Sequence, residues 1–266
     1  MKTSALLLMM TLSCSTLPAT PIWQDEFDQP LGSAPDAAKW TYDLGADGWG
    51  NAELQEYTAT RENSFVVADA AAVNGRALVL RAMRKADGGY TSARIKTSGK
   101  FSVTYGRIEA RMKLPQGQGI WPAFWMLADR IATVGWPQCG EIDIVEVVGH
   151  EPHKLHGTLH GPGYSGPNGI SKSTTLPDGA SLADGYHIYA IDWSPGRIEW
   201  SLNGRVYAVR TPADLPSGSE WVYDDVSHFL ILNLAVGGYW PQYPDDTTTF
   251  PQELRVDYVR VFAPQP

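Results

Sequence analysis

Cysteine is almost missing from this chain: 266 residues contain two, Cys14 and Cys139. The first lies in a leader-like stretch, so an exported form would keep one thiol and could form no intrachain disulfide. Cys139 then reads as a small buried apolar residue rather than a reactive thiol. Basic clusters are missing as well. With 21 basic against 29 acidic side chains the net charge is −8, which argues against nucleic acid and anionic membranes as partners. No stretch sustains a long amphipathic helix. Nor is there a linker, repeat or low-complexity segment to mark a second domain.

Long apolar runs are also lacking. The one near the start, Ala5-Leu6-Leu7-Leu8-Met9-Met10, follows Lys2 and gives way to small and polar residues up to Ala19. It is too short to span a bilayer as a helix and reads as a secretory signal over residues 1–19. Its removal takes Lys2 and moves the net charge from −8 to −9. Cys14 raises a lipoprotein anchor at the cell envelope as the alternative, but Thr11 and Leu12 fit that signal poorly. A secreted or periplasmic protein is therefore expected, monomeric and without membrane insertion. Residues 20–266 suit one large all-β domain.

What the chain has in quantity is aromatic residues and glycine: 10 Trp, 12 Tyr and 26 Gly. Aromatics favour strands and stack on the C–H faces of sugars, while glycines serve turns. Period-2 alternation runs through Arg107–Leu114, a half-exposed strand. Arg197–Leu202, Asn203-Gly204 and Arg205–Val209 form the strongest short hairpin signal. Phe229–Val236, nearly all apolar, reads as a central strand covered on both sides, and Leu254–Phe262 as the last strand. Ser181–Gly185 and Pro212–Pro216 are expected as single turns. Short strands punctuated by Gly and Pro predict a β-sandwich or jelly roll.

The chemistry concentrates in Gly140-Glu141-Ile142-Asp143-Ile144-Val145-Glu146. Three carboxylates in an otherwise apolar run are costly unless they are paired or used. Packed together they raise one another's pKa, as a glycosidase requires of an acid that stays protonated beside an ionised partner. Glu141 and Asp143 share a strand face, and Glu146 falls out of phase. A β-bulge at Ile144–Val145 would bring it back. The two glutamate Cα atoms would then stand roughly 13 Å apart. Side chains leaning inward would leave the carboxyls about 5 Å apart, in the retaining rather than the inverting range. A metal site or an acidic surface strand would not explain the apolar neighbours.

With these residues the chain resembles glycoside hydrolase family sixteen, in particular the bacterial laminarinase-like endo-β-1,3-glucanases. The same order of motifs continues in Asn51–Thr58, Tyr90–Thr97, Gly119–Leu127, Gly157–Tyr164 and Leu232–Gly238, so the resemblance runs from about Trp23 to Phe262. Ala52 and Ala93 depart from a common Asn and Gly. The resemblance implies a concanavalin A-like jelly roll with a concave substrate cleft and no cofactor for catalysis. It makes Glu141 the nucleophile, Glu146 the acid/base, and Asp143 the residue that tunes the pair. It assigns Asn51 and Arg94 to sugar hydroxyls, Trp121 and Trp125 to the cleft, and His160 to a place near the carboxylates. Trp136 and Trp240, in Gly/Pro-rich loops, are stacking candidates. Asn233 is either a sugar contact or a partner for a buried neighbour. A structural Ca²⁺ is implied at Glu26, Gly75 and Asp257, an oxygen donor set of the right kind. The histidines at 150, 153, 156 and 160 match no fixed zinc spacing.

The substrate so implied is a β-1,3-glucan, with tolerance for mixed β-1,3/1,4 chains. Hydrolysis of another polysaccharide such as a galactan is the alternative within the family, because the catalytic strand does not identify the sugar. A non-catalytic glucan-binding lectin is the alternative outside it. The presence of both glutamates speaks against that last reading.

Overall fold

The computed structural model describes residues 20–264; the leader and Cys14 lie outside them. Seventeen strands form two sheets. In chain order they are β1 (Trp23–Asp25), β2 (Thr41–Asp43), β3 (Gln55–Tyr57), β4 (Ser64–Ala68), β5 (Arg76–Arg84), β6 (Tyr90–Ser92), β7 (Arg94–Lys96), β8 (Gly106–Lys113) and β9 (Ile120–Ala128). There follow β10 (Glu141–Glu146), β11 (Leu155–His160), β12 (Ile170–Thr174), β13 (His187–Ser194), β14 (Arg197–Leu202), β15 (Arg205–Arg210), β16 (His228–Val236) and β17 (Gln252–Phe262). The only α-helix among the described residues is α1, four residues over Ile131–Val134. The seven-stranded sheet runs β12-β11-β10-β9-β16-β7-β2. The ten-stranded sheet runs β15-β14-β13-β8-β17-β5-β6-β3, with β1 on β17 and β4 on β5. This is the all-β jelly-roll sandwich expected from the alternation.

Alternation explains how the sheets stack. In β8, Ile108, Ala110 and Met112 enter the core, while Arg107 and Arg111 stay outside. The hairpin turn at Asn203-Gly204 has φ of 50° and 77°, the double left-handed geometry that favours Asn-Gly. Pro212–Asp214 forms one 3₁₀ turn, whereas 181–185 closes through the Asp184 N–H to Ser181 carbonyl bond at 3.1 Å and the Ser181 N–H to Asp184 carboxylate bond at 3.2 Å. β17 begins at Gln252, two residues before the apolar run, because it pairs with β5 from that point on.

All nine residues of β16 are buried. Leu230, Leu232, Leu234 and Val236 face the sandwich core. On the other face Phe229 and Ile231 join Leu127, Ala128 and Cys139 in a second small cluster, with Trp125, Ile131 and Val226 packed against it. That cluster sits at one end of the seven-stranded sheet and anchors the segment just before the carboxylate strand.

Candidate active site

The three carboxylates lie on β10, inside the seven-stranded sheet. Toward β9, Asp143 pairs with Trp125 and Val145 with Phe124, so Ile144 is the extra residue. Toward β11 the register likewise slips between Asp143–Thr158 and Glu146–His156. The consecutive Ile144 and Val145 both belong to the core, which a regular strand forbids and a bulge allows. Glu141, Asp143 and Glu146 are thereby left on the opposite, concave face.

On that face His160 Nε2 lies 3.3 Å from Asp143 Oδ2 and 3.7 Å from Glu141 Oε1. The indole N–H of Trp136 donates to Glu141 Oε2 at 3.0 Å. The Thr158 hydroxyl reaches Glu146 Oε2 at 3.3 Å and Ser171 Oγ at 3.2 Å. Beneath, the Trp200 indole from the other sheet donates to the Asp143 carbonyl at 2.8 Å and fixes the strand at its bulge.

Burial is the largest influence on all three carboxyls, and it raises each pKa. Glu141 is pushed well above the ordinary range by burial and then by Asp143. Glu146 rises to about 8 through burial and the charge of Asp143. Asp143 also rises to about 8 through burial, against a hydrogen bond with Glu141. Three charges therefore do not coexist here at neutral pH, and the protons are shared within the group. Trp136 and His160 favour the charged form of Glu141, and His160 favours that of Glu146 as well. The nearby Cys139 thiol is pushed up to about 11 by burial and by Glu141, so it stays protonated.

The other expected contacts flank this group. Trp121 and Trp125 both turn away from the core residues Phe124 and Met126. Trp121 meets Trp240 edge to face at 5.6 Å, and Trp240 meets His156 the same way at 5.0 Å. Arg94 lies 4.7 Å from the ring centre of Trp125 and 4.9 Å from that of Trp49, and pairs with Asp43 at 2.9 Å. The amide of Asn233 accepts from Trp125 Nε1 at 2.7 Å and donates to the Tyr57 hydroxyl at 3.1 Å. Both its ends are engaged by protein groups, so it braces Trp125 in place. Asn51 donates to Glu53 at 3.2 Å, and its carbonyl accepts from Tyr239 N–H at 3.0 Å. It thus ties the 48–54 loop to the loop that bears Trp240.

Residues not singled out in the sequence complete the site. Thr158 is one; alternation across His156-x-Thr158-x-His160 was the available signal. Asp43 and Glu53 are others. Glu53 is raised by burial despite bonds from Gln55 and Asn51, and no local pattern announces it.

The residues expected for calcium meet on the ten-stranded sheet. The turn at 73–75 touches both other positions: Val73 N–H donates to the Asp257 carboxylate at 3.0 Å, and the Asn74 amide to the Glu26 carbonyl at 2.7 Å. Asp257 is buried and pairs with Arg111, while the Glu26 side chain pairs with Arg260. Glu26 therefore has only its carbonyl to offer. Two carbonyls and one carboxylate are oxygen donors of the kind Ca²⁺ takes, and each already accepts a hydrogen bond here, the Gly75 carbonyl from Asp69 N–H at 3.0 Å.

Comparison with known proteins agrees with this geometry. Residues 54–260 match the model of glycosyl hydrolases family 16. A β-glucanase of Rhodothermus marinus is 41% identical, over 98% of this chain and 94% of that protein. The laminarinase catalytic domain of Thermotoga maritima superimposes with a TM-score of 0.84 at 45% identity, over 93% of this chain and 99% of that one. A keratan-sulfate endo-1,4-β-galactosidase of Sphingobacterium multivorum is 35% identical over 91% of this chain and 54% of its own length. With its bulged carboxylate strand in a jelly-roll sandwich, the chain is a glycoside hydrolase and belongs to glycosyl hydrolases family 16.

Proposed function

We propose that this enzyme cleaves β-1,3-glucan of the laminarin type within the chain, with retention of configuration and tolerance for mixed β-1,3/1,4 linkages. The observation that carries the reading is the group of buried Asp143 flanked by half-buried Glu141 and Glu146, between the Trp136 and Trp121–Trp240 aromatics. A Glu141 oxygen attacks the anomeric carbon as its bond to the leaving sugar breaks, and Glu146 gives its proton to the departing oxygen. Glu146, now ionised, takes a proton from water, whose oxygen displaces Glu141 and restores its carboxylate. Asp143 shares a proton with Glu141 and keeps Glu146 from ionising early. Asn51, Arg94, Trp121, Trp125 and Trp240 line the sugar path, and Asn233 holds Trp125.

The test is proton NMR of fresh laminarin digests, with agarose, carrageenan and lichenan assayed in parallel. β-Anomers first, on laminarin, are the expected result. α-Anomers first would refute retention. The 35% identity to a galactosidase favours a galactan as the second reading, and activity on agarose alone would establish it.

The same reading makes residues 20–266 one catalytic unit, exported to the periplasm or medium and monomeric. Mass analysis of the secreted form, with an N-terminus at Thr20, checks the leader; a lipid-modified Cys14 would replace it with an envelope anchor. The Glu26 and Gly75 carbonyls and Asp257 would hold a Ca²⁺ that ties β1, the 73–75 turn and β17 together, with no part in the reaction. Removing calcium with EDTA should then lower the melting temperature and leave the pH profile of the remaining activity unchanged.

A further inference from the structure

The segment before the carboxylate strand is built more firmly than a simple sugar platform requires. After α1, Gly135 N–H bonds to the Ile131 carbonyl, Cys139 N–H to Gly135 and Gly140 N–H to Pro137, at 2.9, 2.9 and 3.1 Å. Arg130 clamps the turn from outside, donating to the carbonyls of Cys139 and Val222 at 3.2 and 3.0 Å. Ile131 and Cys139 anchor it in the second apolar cluster. The result is that Trp136, although 47% exposed, has its indole nitrogen fixed 3.0 Å from Glu141 Oε2. The other oxygen of the same carboxylate faces His160 at 3.7 Å. The two oxygens of Glu141 thus have different neighbours.

We propose that Trp136 is a positioning residue for the nucleophile, its indole N–H fixing the Glu141 carboxyl in one rotamer and favouring its charged form while its exposed face receives sugar. The proposal rests on Glu141 being the nucleophile. An indole N–H only donates and does not titrate in the working range. It favours the carboxylate over the acid without competing for the proton. The other ionisable groups around Glu141 are Asp143 and Glu146 on its own strand, His160 on β11, Cys139 in the preceding turn and Tyr223. Asp143, Glu146 and Cys139 gain no positive charge, and Tyr223 is itself pushed up by burial. Trp136 is the permanent donor among them. The carboxylate is neutralised when the glycosyl bond forms and re-forms when water displaces it. The donor therefore assists the second step by making Glu141 a better leaving group.

The experiment compares Trp136→Phe, which keeps a ring and loses the donor, with Trp136→Ala, on dinitrophenyl β-laminaribioside. With this activated leaving group, breakdown of the glycosyl-enzyme limits turnover. Trp136→Phe should lower kcat about tenfold, lower KM with it as the glycosyl-enzyme accumulates, and move the acid limb of kcat/KM up by about one pH unit. Trp136→Ala should add a rise in KM. Wild-type kcat with an unshifted acid limb in Trp136→Phe would overturn the proposal. A change in KM alone would overturn it as well, leaving only a platform. Azide added to Glu141→Gly separates this from the underlying assignment: α-glycosyl azide identifies Glu141 as nucleophile whatever Trp136 does. Its absence, with near-normal turnover by Glu141→Gln, overturns both.

Discussion

Acidic side chains in this protein live in two settings, and the contrast shows how one residue type serves two purposes. On the outer face of the ten-stranded sheet they have guanidinium partners. Glu253 sits between Arg81 at 2.6 Å and Arg255 at 2.8 Å, Asp69 takes Arg255 at 2.9 Å, and Glu26 takes Arg260 at 2.7 Å. Burial tends to raise Asp69 and Glu253, yet hydrogen bonds from Arg255 and Arg81 outweigh it and both end below their ordinary values. On the concave face Glu141, Asp143 and Glu146 have no arginine or lysine, only His160 beside the first two. There burial wins, and all three are raised. A charge that serves the fold is given a fixed cation. A group that must exchange a proton is denied one.

Removing the unpaired carboxylates tests this most severely. Glu141→Gln should cost roughly 10⁴-fold or more in kcat on laminarin, as loss of a nucleophile does. Glu146→Gln should cost about 10² to 10⁴-fold, the usual worth of general acid–base catalysis, and much less on an aryl glycoside whose leaving group needs no proton. Equal losses on both substrates would take the acid role from Glu146. The pH profile carries the same information. Glu146 acts as acid while protonated and its pKa is raised to about 8. Activity should therefore persist through neutral pH and fall as pH rises through about 8. A basic limb near the ordinary carboxylate range would mean that burial does not control it.

The concave side of this contrast is largely legible in sequence, for a physical reason. Three carboxylates in an apolar strand announce an unusual cost, and the odd spacing of Glu146 demands the bulge that the register shows between Asp143 and Val145. The alternation of β8, the Asn203-Gly204 hairpin and the buried β16 are equally local signals. What escapes is set by tertiary contact. Trp136 reads as a loop aromatic, and its bond to Glu141 depends on a turn anchored from β9 and β16. Glu53 and Asn233 draw their surroundings from four separate segments, and α1 is too short for any periodicity. The Arg–carboxylate pairs of the outer face link strands far apart in the chain, as Arg81 and Glu253 do.

A charge withheld from pairing should also weigh on stability, with a definite sign. The pKa of Asp143 is raised to about 8 from 3.8, so the folded state resists its ionisation. The penalty is absent below the unfolded value, grows as pH rises, and is complete above about 8. Asp143→Asn should therefore melt above the wild type at pH 8.5, by about 2–5 °C for a chain of this size. At pH 4 the difference should nearly vanish. A variant that melts lower at pH 8.5 would mean that the hydrogen bonds of Asp143 outweigh its burial.

On the outer face the same logic predicts a smaller change of opposite sign. Arg255→Ala removes the partner of Asp69 and one of the two partners of Glu253. The guanidinium is 36% exposed, so water replaces much of what it supplies, and the loss should be about 1 kcal/mol, or roughly 2 °C in melting temperature. Because Arg255 holds these carboxylates below their ordinary pKa, its contribution is present above that range and disappears as pH falls through it. The gap between variant and wild type should close toward pH 3 and narrow in 0.5 M salt. Laminarin turnover at 25 °C should not change, since Arg255 lies on the sheet opposite the cleft. A loss of activity without a loss of melting temperature would break the division between the two faces, because it would give a paired surface charge a part in the chemistry.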